Sequence, residues 1–308
     1  MKILVTGSSG YIGRALVLLL VQRGFNVSIA VRQKTNIFPN IVNQFAVGDF
    51  KSNTDFLASL AGVDCVVHLA GKAHTPDKDK VSALDEFRKI NTELTLNLAK
   101  QAVTAGVKRI VFLSSIGVNG NQNYQPFLET DIPNPQEPYA ISKYEAEQGL
   151  LKLAENSGLE VVLIRPPLVY GNNAPGNFGR LLRWVNAKHP MPLPFGSINN
   201  SRSLVALDNL VDFIILCTSH KKAVNEVFLL SDGDDLSTTQ LLQNILKIYN
   251  KKALLIPISV GLMSFVLNLI GKKSDAVRLF STLRVDSSKA RDLLEWRPIV
   301  TMKDQLKL

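Results

Sequence analysis

Cysteine is scarce in this sequence. Cys65 and Cys217 are the only two cysteines among 308 residues, and each lies inside an apolar stretch. This scarcity excludes a disulfide-stapled scaffold and a cysteine-based zinc site, and it predicts two buried free thiols in a reducing compartment. The residues after Met1 run directly into a glycine-rich turn without the apolar segment of a signal peptide, so we expect a cytoplasmic protein.

Clusters of basic residues and metal-binding patterns are also missing. The net charge is +9, but no run of Lys or Arg exceeds two residues, and no aromatic residues are interleaved with them. Nucleic acid is therefore not expected as a partner, whereas small anionic ligands such as nucleotides suit scattered cations. The four histidines show no ligand spacing, so no metal is expected. His68, which ends a strand-like run, is predicted to be a packed residue.

One long uncharged run interrupts this pattern. Residues 253–271 contain no charge and are flanked by Lys251-Lys252 and Lys272-Lys273. Pro257 and two small residues divide the run, which favours a short strand at Leu254–Ile258 followed by a buried helix of about ten residues over a membrane span. The alternative is peripheral contact of 253–271 with an anionic bilayer through the lysine pairs.

The first half of the chain alternates short apolar runs with longer helical patterns. Five runs are predicted as strands: Ile3–Thr6, Asn26–Val31, Cys65–Leu69, Arg109–Leu113 and Glu160–Ile164. Helices are predicted between them at Tyr11–Arg23, Asp55–Leu60, Ser82–Ala105 and Tyr139–Ser157. Runs that are apolar throughout are typical of parallel strands covered on both faces, so the pattern predicts an α/β fold with a doubly wound parallel sheet.

A glycine-rich turn follows the first strand and opens the first helix. In T-G-S-S-G-Y-I-G, which begins at Thr6, the glycines permit a tight turn, close approach of a pyrophosphate and close helix packing. The helix N-terminus supplies free N–H groups for phosphate. The predicted dinucleotide-binding residues of this turn are Gly7, Gly10, Tyr11, Ile12 and Gly13.

A tyrosine and a lysine are spaced for proton transfer. Tyr139 and Lys143 form a Y-x-x-x-K element at the start of a predicted helix, which places both on one face. We expect the ammonium to favour the phenolate, so that Tyr139 exchanges a proton near neutral pH.

These motifs together resemble the short-chain dehydrogenase/reductase superfamily. The stretch from Ser114 to Gly120 is similar to S-[ST]-x-x-V-[YN]-G of its extended members, which implies a catalytic hydroxyl at Ser115. R-P-P-L-V-Y-G from Arg165 and the closing V-D-S-S-K-A-R with L-E-W match further family signatures. The resemblance covers nearly the whole chain, and it is to NDP-sugar epimerases, dehydratases and reductases with a Rossmann dinucleotide-binding domain.

The resemblance also implies binding residues beyond the glycine turn. The implied cofactor-binding residues are Asp49, Phe50, Leu69, Ala70, Gly71, Tyr139, Lys143 and Pro166. The implied substrate-binding residues are Ser115, Asn177, Phe178, Arg202 and Arg278. We expect an NAD(P)-binding domain at 1–170 and a smaller mixed α/β nucleotide-sugar-binding lobe at 171–308, of which about 204–230 returns to the first domain.

Two departures from the family pattern narrow the chemistry. The second predicted strand ends in Val31-Arg32, where NAD-using relatives place an acid for the ribose hydroxyls. A guanidinium without that acid favours NADP(H), with NAD(H) as the alternative. Ile116-Gly117 replaces the acid pair that dehydratases carry after the catalytic hydroxyl, so dehydration is not expected.

The resulting hypothesis is an NADPH-dependent reductase of the C4 ketone of a UDP-4-keto-6-deoxy-HexNAc type sugar, in the synthesis of surface-polysaccharide precursors. The alternative is an NAD-dependent UDP-hexose or UDP-HexNAc 4-epimerase. A non-catalytic dinucleotide-binding protein is a remote third interpretation. A homodimer through the helices predicted at 82–105 and 139–157 is expected from the resemblance.

Overall fold

The computed structural model describes residues 1–73, 80–188, 190–269, 271 and 273–307. The strands are β1 (Lys2–Thr6), β2 (Asn26–Val31), β3 (Asn43–Ala46), β4 (Cys65–His68), β5 (Arg109–Leu113), β6 (Glu160–Arg165), β7 (Leu168–Tyr170), β8 (Leu204–Ala206) and β9 (Val227–Leu229). The helices between Tyr11 and Val185 are α1 (Tyr11–Gln22), α2 (Leu57–Leu60), α3 (Lys80–Phe87), α4 (Leu94–Thr104), α5 (Pro138–Ser157) and α6 (Gly176–Val185). The later helices are α7 (Leu207–Cys217), α8 (Thr238–Ile248), α9 (Val260–Leu269), α10 (Lys273–Phe280), α11 (Ser288–Leu294) and α12 (Met302–Leu306).

Seven strands form one parallel sheet in the order β3-β2-β1-β4-β5-β6-β9. β1 lies inside the sheet, where Val5 pairs with Ile29 on one side and Val67 on the other. The direction of the strand order reverses between β1 and β4, and in open parallel sheets ligands bind at such a point, beyond the carboxyl ends of the strands. The predicted doubly wound α/β fold is confirmed.

Hydrophobic cores lie on both faces of the sheet. On one face α1, α7 and α11 pack around residues such as Leu16, Phe213 and Trp296. On the other face α2, α4 and α5 pack around Leu98 and Leu150. Every strand residue of β4 is buried, which explains why the strand runs are apolar throughout. Both cysteines are free and buried, as predicted.

The segment after β6 builds a smaller layer beside the sheet. β7 and β8 pair in parallel, and α6, α8 and α12 enclose a third apolar cluster. The chain then returns to the main sheet, where β9 pairs with β6.

The uncharged run at 253–271 differs from its predicted structure. The predicted strand at Leu254–Ile258 is wrong: only Leu255 forms a bridge, to Leu193, and Pro257 supplies no N–H for a ladder. The helix exists as α9, but of its residues only Met263 is buried, so the prediction of a buried helix is also wrong. No helix in the described part of the chain has the length and apolar character that a membrane span needs.

Candidate active site

The turn between β1 and α1 admits only glycine at two positions. Gly7 has a φ of +70°, and a Cβ there would lie 2.6 Å from the backbone nitrogen of Ala70. A Cβ on Gly13 would lie 2.1 Å from the carbonyl oxygen of Gly7. The N–H of Gly10 donates to that same oxygen over 3.0 Å, which closes the turn. The backbone of Gly7 therefore packs tightly against the first turn of α1.

A cleft of about 810 Å³ opens at the carboxyl ends of β1, β2 and β4. Eight of the predicted cofactor-binding residues line it: Gly7, Gly10, Arg32, Asp49, Phe50, Leu69, Ala70 and Gly71. Tyr11, Ile12, Gly13, Tyr139, Lys143 and Pro166 are not on its walls. The phenol of Tyr11 instead faces Gly171, where a Cβ would lie 2.6 Å from the phenolic oxygen.

The cleft fits the diphosphate of a dinucleotide. Gly10, the residue before α1, gives the helix no side-chain cap, so the N–H groups of its first turn are left for a ligand. The hydroxyl of Ser8 is buried on the cleft wall and has no hydrogen-bond partner among the residues that the structure describes. Sequence reasoning missed the cations Lys51, Lys72 and Lys89 on this wall, because no motif announces them.

The end of β2 lacks a carboxylate. Val31 is buried, whereas Arg32 after it is exposed and lines the cleft near Lys51. The cleft wall carries the acidic residues Asp49 and Glu86, and Glu86 is ion-paired with Lys72. The local charge at the β2 end of the cleft is therefore positive apart from Asp49, which suits an anionic group.

The predicted catalytic residues lie on two elements that meet at the end of the sheet. Ser115 follows β5, and its Oγ accepts a hydrogen bond from the N–H of Gly117 over 3.2 Å. Tyr139 is the second residue of α5 and is half-buried. Lys143 donates from Nζ to the carbonyl oxygen of Leu113 at the end of β5 over 2.9 Å. The start of α5 is thus fastened to the strand that presents Ser115.

Burial controls the pKa values of the tyrosine and the lysine. Loss of hydration raises the pKa of Tyr139 to about 12. It also lowers the pKa of Lys143 to about 8, an effect that the charge of Glu147 partly opposes. Burial is thus the cause that acts on the phenol here, and the ammonium of Lys143 is bound to Leu113; the lowering of the phenol pKa by Lys143 stays a prediction.

A buried charge network holds α5 against β6. Arg165 donates from Nη2 to Oε2 of Glu147 over 2.5 Å and from Nη1 to Oδ1 of Asn119 over 3.0 Å. The N–H of Ile116 also donates to the carbonyl oxygen of Pro166 over 3.0 Å, so the loop after Ser115 is tied to the same strand end. Spacing gives no signal for this network, because Glu147 and Arg165 lie 18 residues apart on different elements.

A buried asparagine joins the cleft to the catalytic helix. Asn91 lies in a π-helical turn, Arg88–Glu93, between α3 and α4. Its side chain accepts from the N–H of Lys72 over 2.8 Å and donates to the carbonyl oxygen of Lys72 over 3.0 Å. It also donates to the hydroxyl of Ser142 over 3.0 Å. Such turns are frequent at functional sites, but the helical pattern of the sequence gives no sign of one here.

His68 is a packed residue, as predicted. Its Nδ1 lies 2.6 Å from the hydroxyl of Thr6, and its Nε2 lies 2.8 Å from the hydroxyl of Thr95. Burial, together with the charge of Lys143, lowers the pKa of this imidazole to about 3, so the ring is neutral. His74 and His189 lie outside the described residues.

The predicted substrate residues lie on the smaller layer and differ in accessibility. Asn177 is exposed in the first turn of α6. The ring of Phe178 is buried against Tyr170, with 5.7 Å between centroids, so it belongs to the core. Arg202 is half-buried, and its Nη1 donates to the carbonyl oxygen of Ser281 over 3.0 Å. The side chain of Arg278 lies outside the described residues.

Comparison with known proteins gives matches along the whole chain. A model of the NAD dependent epimerase/dehydratase family matches residues 3–230. UDP-glucose 4-epimerase of Vibrio cholerae is 41% identical over 310 residues, covering 99% of this chain and 93% of that protein. N-acetyl-α-D-glucosaminyl-diphospho-ditrans,octacis-undecaprenol 4-epimerase of Escherichia coli O157:H7 is 28% identical, covering 92% and 84%. The crystal structure of UDP-glucose 4-epimerase with UDP-glucose from Thermotoga maritima superposes with a TM-score of 0.78 at 26% identity, covering 100% of this chain and 97% of that one.

Proposed function

The chain belongs to the NAD-dependent epimerase/dehydratase family, and from this we propose that it is a 4-epimerase of a UDP-hexose or UDP-N-acetylhexosamine. The observation that carries the proposal is the bond from Lys143 Nζ, on the helix of Tyr139, to the carbonyl oxygen of Leu113, two residues before Ser115. A Cβ on Gly71, a residue of the dinucleotide cleft, would lie 3.3 Å from that Nζ. The 41% identity to a UDP-glucose 4-epimerase over nearly the full length supports the reaction type.

Each side chain has a defined part in this reaction. The bound dinucleotide supplies the acceptor and donor of the hydride. Tyr139 removes the proton from the sugar O4 and returns it, while the hydroxyl of Ser115 hydrogen-bonds that oxygen. With a pKa of about 12 the phenol holds its proton firmly, so it is suited to the return step. Proton removal requires a positive charge near the phenol, either the ammonium of Lys143 or the oxidised nicotinamide.

The substrate diphosphate is assigned to the smaller layer. We propose that Arg202 and the first turn of α6, at Asn177 and the backbone of Phe178, hold the UDP group. Burial lowers the pKa of Arg202, yet a guanidinium remains charged at physiological pH. A desolvated guanidinium is a strong partner for an anionic oxygen.

Reduction of a UDP-4-keto-6-deoxy-HexNAc is the second candidate. It is favoured by the end of β2, where buried Val31 and exposed Arg32 suit the 2′-phosphate of NADP(H). In this reaction a bound NADPH would supply the hydride that C4 gains, and Tyr139 donates its proton to O4. The same Ser115, Tyr139 and Lys143 serve both reactions, so the substrate and the cofactor distinguish them.

One assay separates the two candidates. The purified protein is incubated with UDP-glucose or UDP-GlcNAc without added cofactor, and the anomeric proton signals of the sugars are followed by NMR. Interconversion of C4 epimers by the wild type, but not by Tyr139→Phe, supports the epimerase. No interconversion, together with stoichiometric NADPH oxidation by UDP-4-keto-6-deoxy-HexNAc, would overturn it in favour of the reductase.

The domain division and the assembly are further proposals. We propose that residues 1–170 bind the dinucleotide and that 171–308 bind mainly the nucleotide sugar, with about 204–230 returning to the first domain. We propose a homodimer through α4 and α5, which sedimentation equilibrium of the wild type would test.

A further inference from the structure

Helix α9 presents a stripe of large apolar side chains to solvent. Leu262, Phe265, Val266 and Leu269 follow the i, i+3, i+4, i+7 spacing of one helix face, and all four are exposed, Leu269 by 70%. Met263, beside the stripe on the helix surface, is buried. Since the helix already has one face on the protein, the outer stripe is a second apolar face that the fold leaves uncovered.

The stripe belongs to a wider apolar surface. Leu254 and Ile256 precede α9 and are exposed by 63% and 38%. The bridge between Leu255 and Leu193 places the segment of Met191, exposed by 74%, beside them. We call these seven residues the α9 patch: Met191, Leu254, Ile256, Leu262, Phe265, Val266 and Leu269. A patch of this kind on a single chain marks an interaction site.

The chain around the patch carries charge of one sign. Neither residues 171–207 nor residues 236–274 contain an Asp or Glu, although the whole chain has 26 acidic residues. The first segment contains four Lys or Arg residues and the second contains five, and Lys251 and Lys252, close to Leu254, are exposed. An apolar surface edged by cations matches the boundary between anionic headgroups and acyl chains.

We propose that the α9 patch docks the protein peripherally on an anionic lipid bilayer. At 1.5 Å per residue α9 is about 15 Å long, half the hydrocarbon thickness, so it lies in the interface rather than crossing the bilayer. A symmetric contact between two copies of the patch would bring their exposed lysines together with no acidic residue nearby in the sequence. An anionic membrane surface attracts the same lysines.

The position of the patch connects it to the substrate layer. α9 packs on α10. The end of α10 is held by two residues next to the proposed diphosphate site: Asn200 donates to the carbonyl oxygen of Leu279 over 3.1 Å, and Arg202 donates to that of Ser281. Docking through α9 therefore brings this side of the substrate layer towards the membrane surface.

Vesicle binding tests the proposal. The full chain is co-sedimented with vesicles of phosphatidylcholine alone and with vesicles that also contain phosphatidylglycerol. We expect binding only to the anionic vesicles, weakened by salt. Replacing both lysines, Lys251→Gln with Lys252→Gln, should reduce the affinity about fivefold per lysine, which corresponds to about 1 kcal/mol each.

Apolar variants provide the second arm of the test. Phe265→Asp with Leu269→Asp should weaken vesicle binding about tenfold or more per side chain, because burial of a large apolar group is lost. Ile41→Asp changes an exposed apolar residue in the loop before β3 and should bind like the wild type. Turnover of the soluble nucleotide sugar, where present, and the unfolding midpoint show that the variants are folded.

Three results would overturn the proposal. They are absence of binding to the anionic vesicles, binding that Phe265→Asp with Leu269→Asp leaves unchanged, and a dimer in sedimentation equilibrium that these same substitutions dissociate. The last result would assign the patch to a second copy of the chain. None of the three bears on whether the protein is an epimerase.

Discussion

Glu147 and Arg165 form a buried ion pair between the catalytic helix and the strand beside it. The Oε2–Nη2 distance is 2.5 Å, and the two side chains are exposed by 0% and 5%. Tyr139 and Lys143 precede Glu147 on α5, and Pro166 follows Arg165 at the end of β6. The pair therefore fixes the helix that carries the proposed acid–base residue relative to the strand end at the cleft.

Glu147→Gln is expected to destabilise the fold by about 3–5 kcal/mol, because it leaves the guanidinium of Arg165 buried without an opposing charge. Urea unfolding measures this loss. Glu145→Gln is the matched control, since Glu145 lies on the same helix but pairs with Arg88 at a half-exposed site. It should cost about 1 kcal/mol or less. Similar losses in the two variants would contradict the structural role assigned to Glu147.

Tyr139→Phe is expected to reduce kcat about 10²–10⁴-fold, because a positioned proton donor and acceptor is removed. The ring, its burial and its contact with Phe87, at 5.9 Å between centroids, are retained. Cofactor affinity and the unfolding midpoint should therefore change little. The measurement is steady-state turnover together with titration of the dinucleotide. A Tyr139→Phe variant with nearly full activity would remove this residue from the mechanism.

Lys143→Met is expected to change how stability depends on pH. The pKa of Lys143 is lowered from 10.5 to about 8 by burial, so the unfolded chain binds more protons than the folded one between these values. Wild-type stability should then rise with pH across this window, by up to about 3 kcal/mol in total.

Methionine fills the site without a charge, so the variant lacks this rise. Denaturant unfolding at pH 7, 8, 9 and 10 checks the difference between the two proteins. The difference should shift in favour of the wild type as the pH increases, whatever the loss of the bond to Leu113 costs at a given pH. Parallel pH profiles would show that Lys143 keeps its ordinary pKa in the fold.

The sequence predicted the sheet well because its strands are buried on both faces. β2 and β5 begin and end where their apolar runs do. β3, Asn43–Ala46, was missed because it is an edge strand whose residues are half-buried or exposed, so its composition carries no apolar run. The error at α9 was of the opposite kind, because its apolar residues led to a prediction of burial. An apolar helix pattern does not say whether protein or another surface covers the helix.

Site residues were predictable where they belong to a short motif. The glycine turn and Y-x-x-x-K are contiguous, so spacing reveals them. Asn91 and Glu147 act through partners that are distant in sequence, Lys72 and Arg165, and only the fold brings these together. The spacing of Tyr139 to Lys143 also does not reveal the burial that raises the pKa of the phenol.

Arg202→Ala is expected to raise the KM for the nucleotide sugar about 10–100-fold with a smaller change in kcat, since a charge-assisted hydrogen bond to the diphosphate contributes roughly 1.5–3 kcal/mol. Arg284→Ala is the control, because Arg284 also donates to a backbone carbonyl, that of Tyr124, without a proposed ligand contact. Its KM should match the wild type. An Arg202→Ala enzyme that loses kcat at unchanged KM would argue against the diphosphate role.

Cofactor preference tests the end of β2. Arg32 is the exposed residue after buried Val31, and it lines the cleft near Lys51. If the protein is the reductase, the second candidate, NADPH should bind more tightly than NADH, because the guanidinium pairs with the 2′-phosphate and no carboxylate at the end of β2 accepts bonds from the ribose hydroxyls. Arg32→Ala should reduce the difference in binding free energy between NADPH and NADH by about 1–3 kcal/mol, mainly through weaker NADPH binding.

Fluorescence titration of the wild type and of Arg32→Ala with NADH and with NADPH measures the difference in binding free energy between the two cofactors. Arg14→Ala provides a control for loss of a positive charge on the same side of the sheet, since Arg14 is exposed on α1 and does not line the cleft. Equal binding of NADH and NADPH by the wild type would rule out the 2′-phosphate role. Tightly retained NAD in the purified protein would do so as well, and it would favour the epimerase, which regenerates its cofactor in every turnover, over the reductase, which must exchange it.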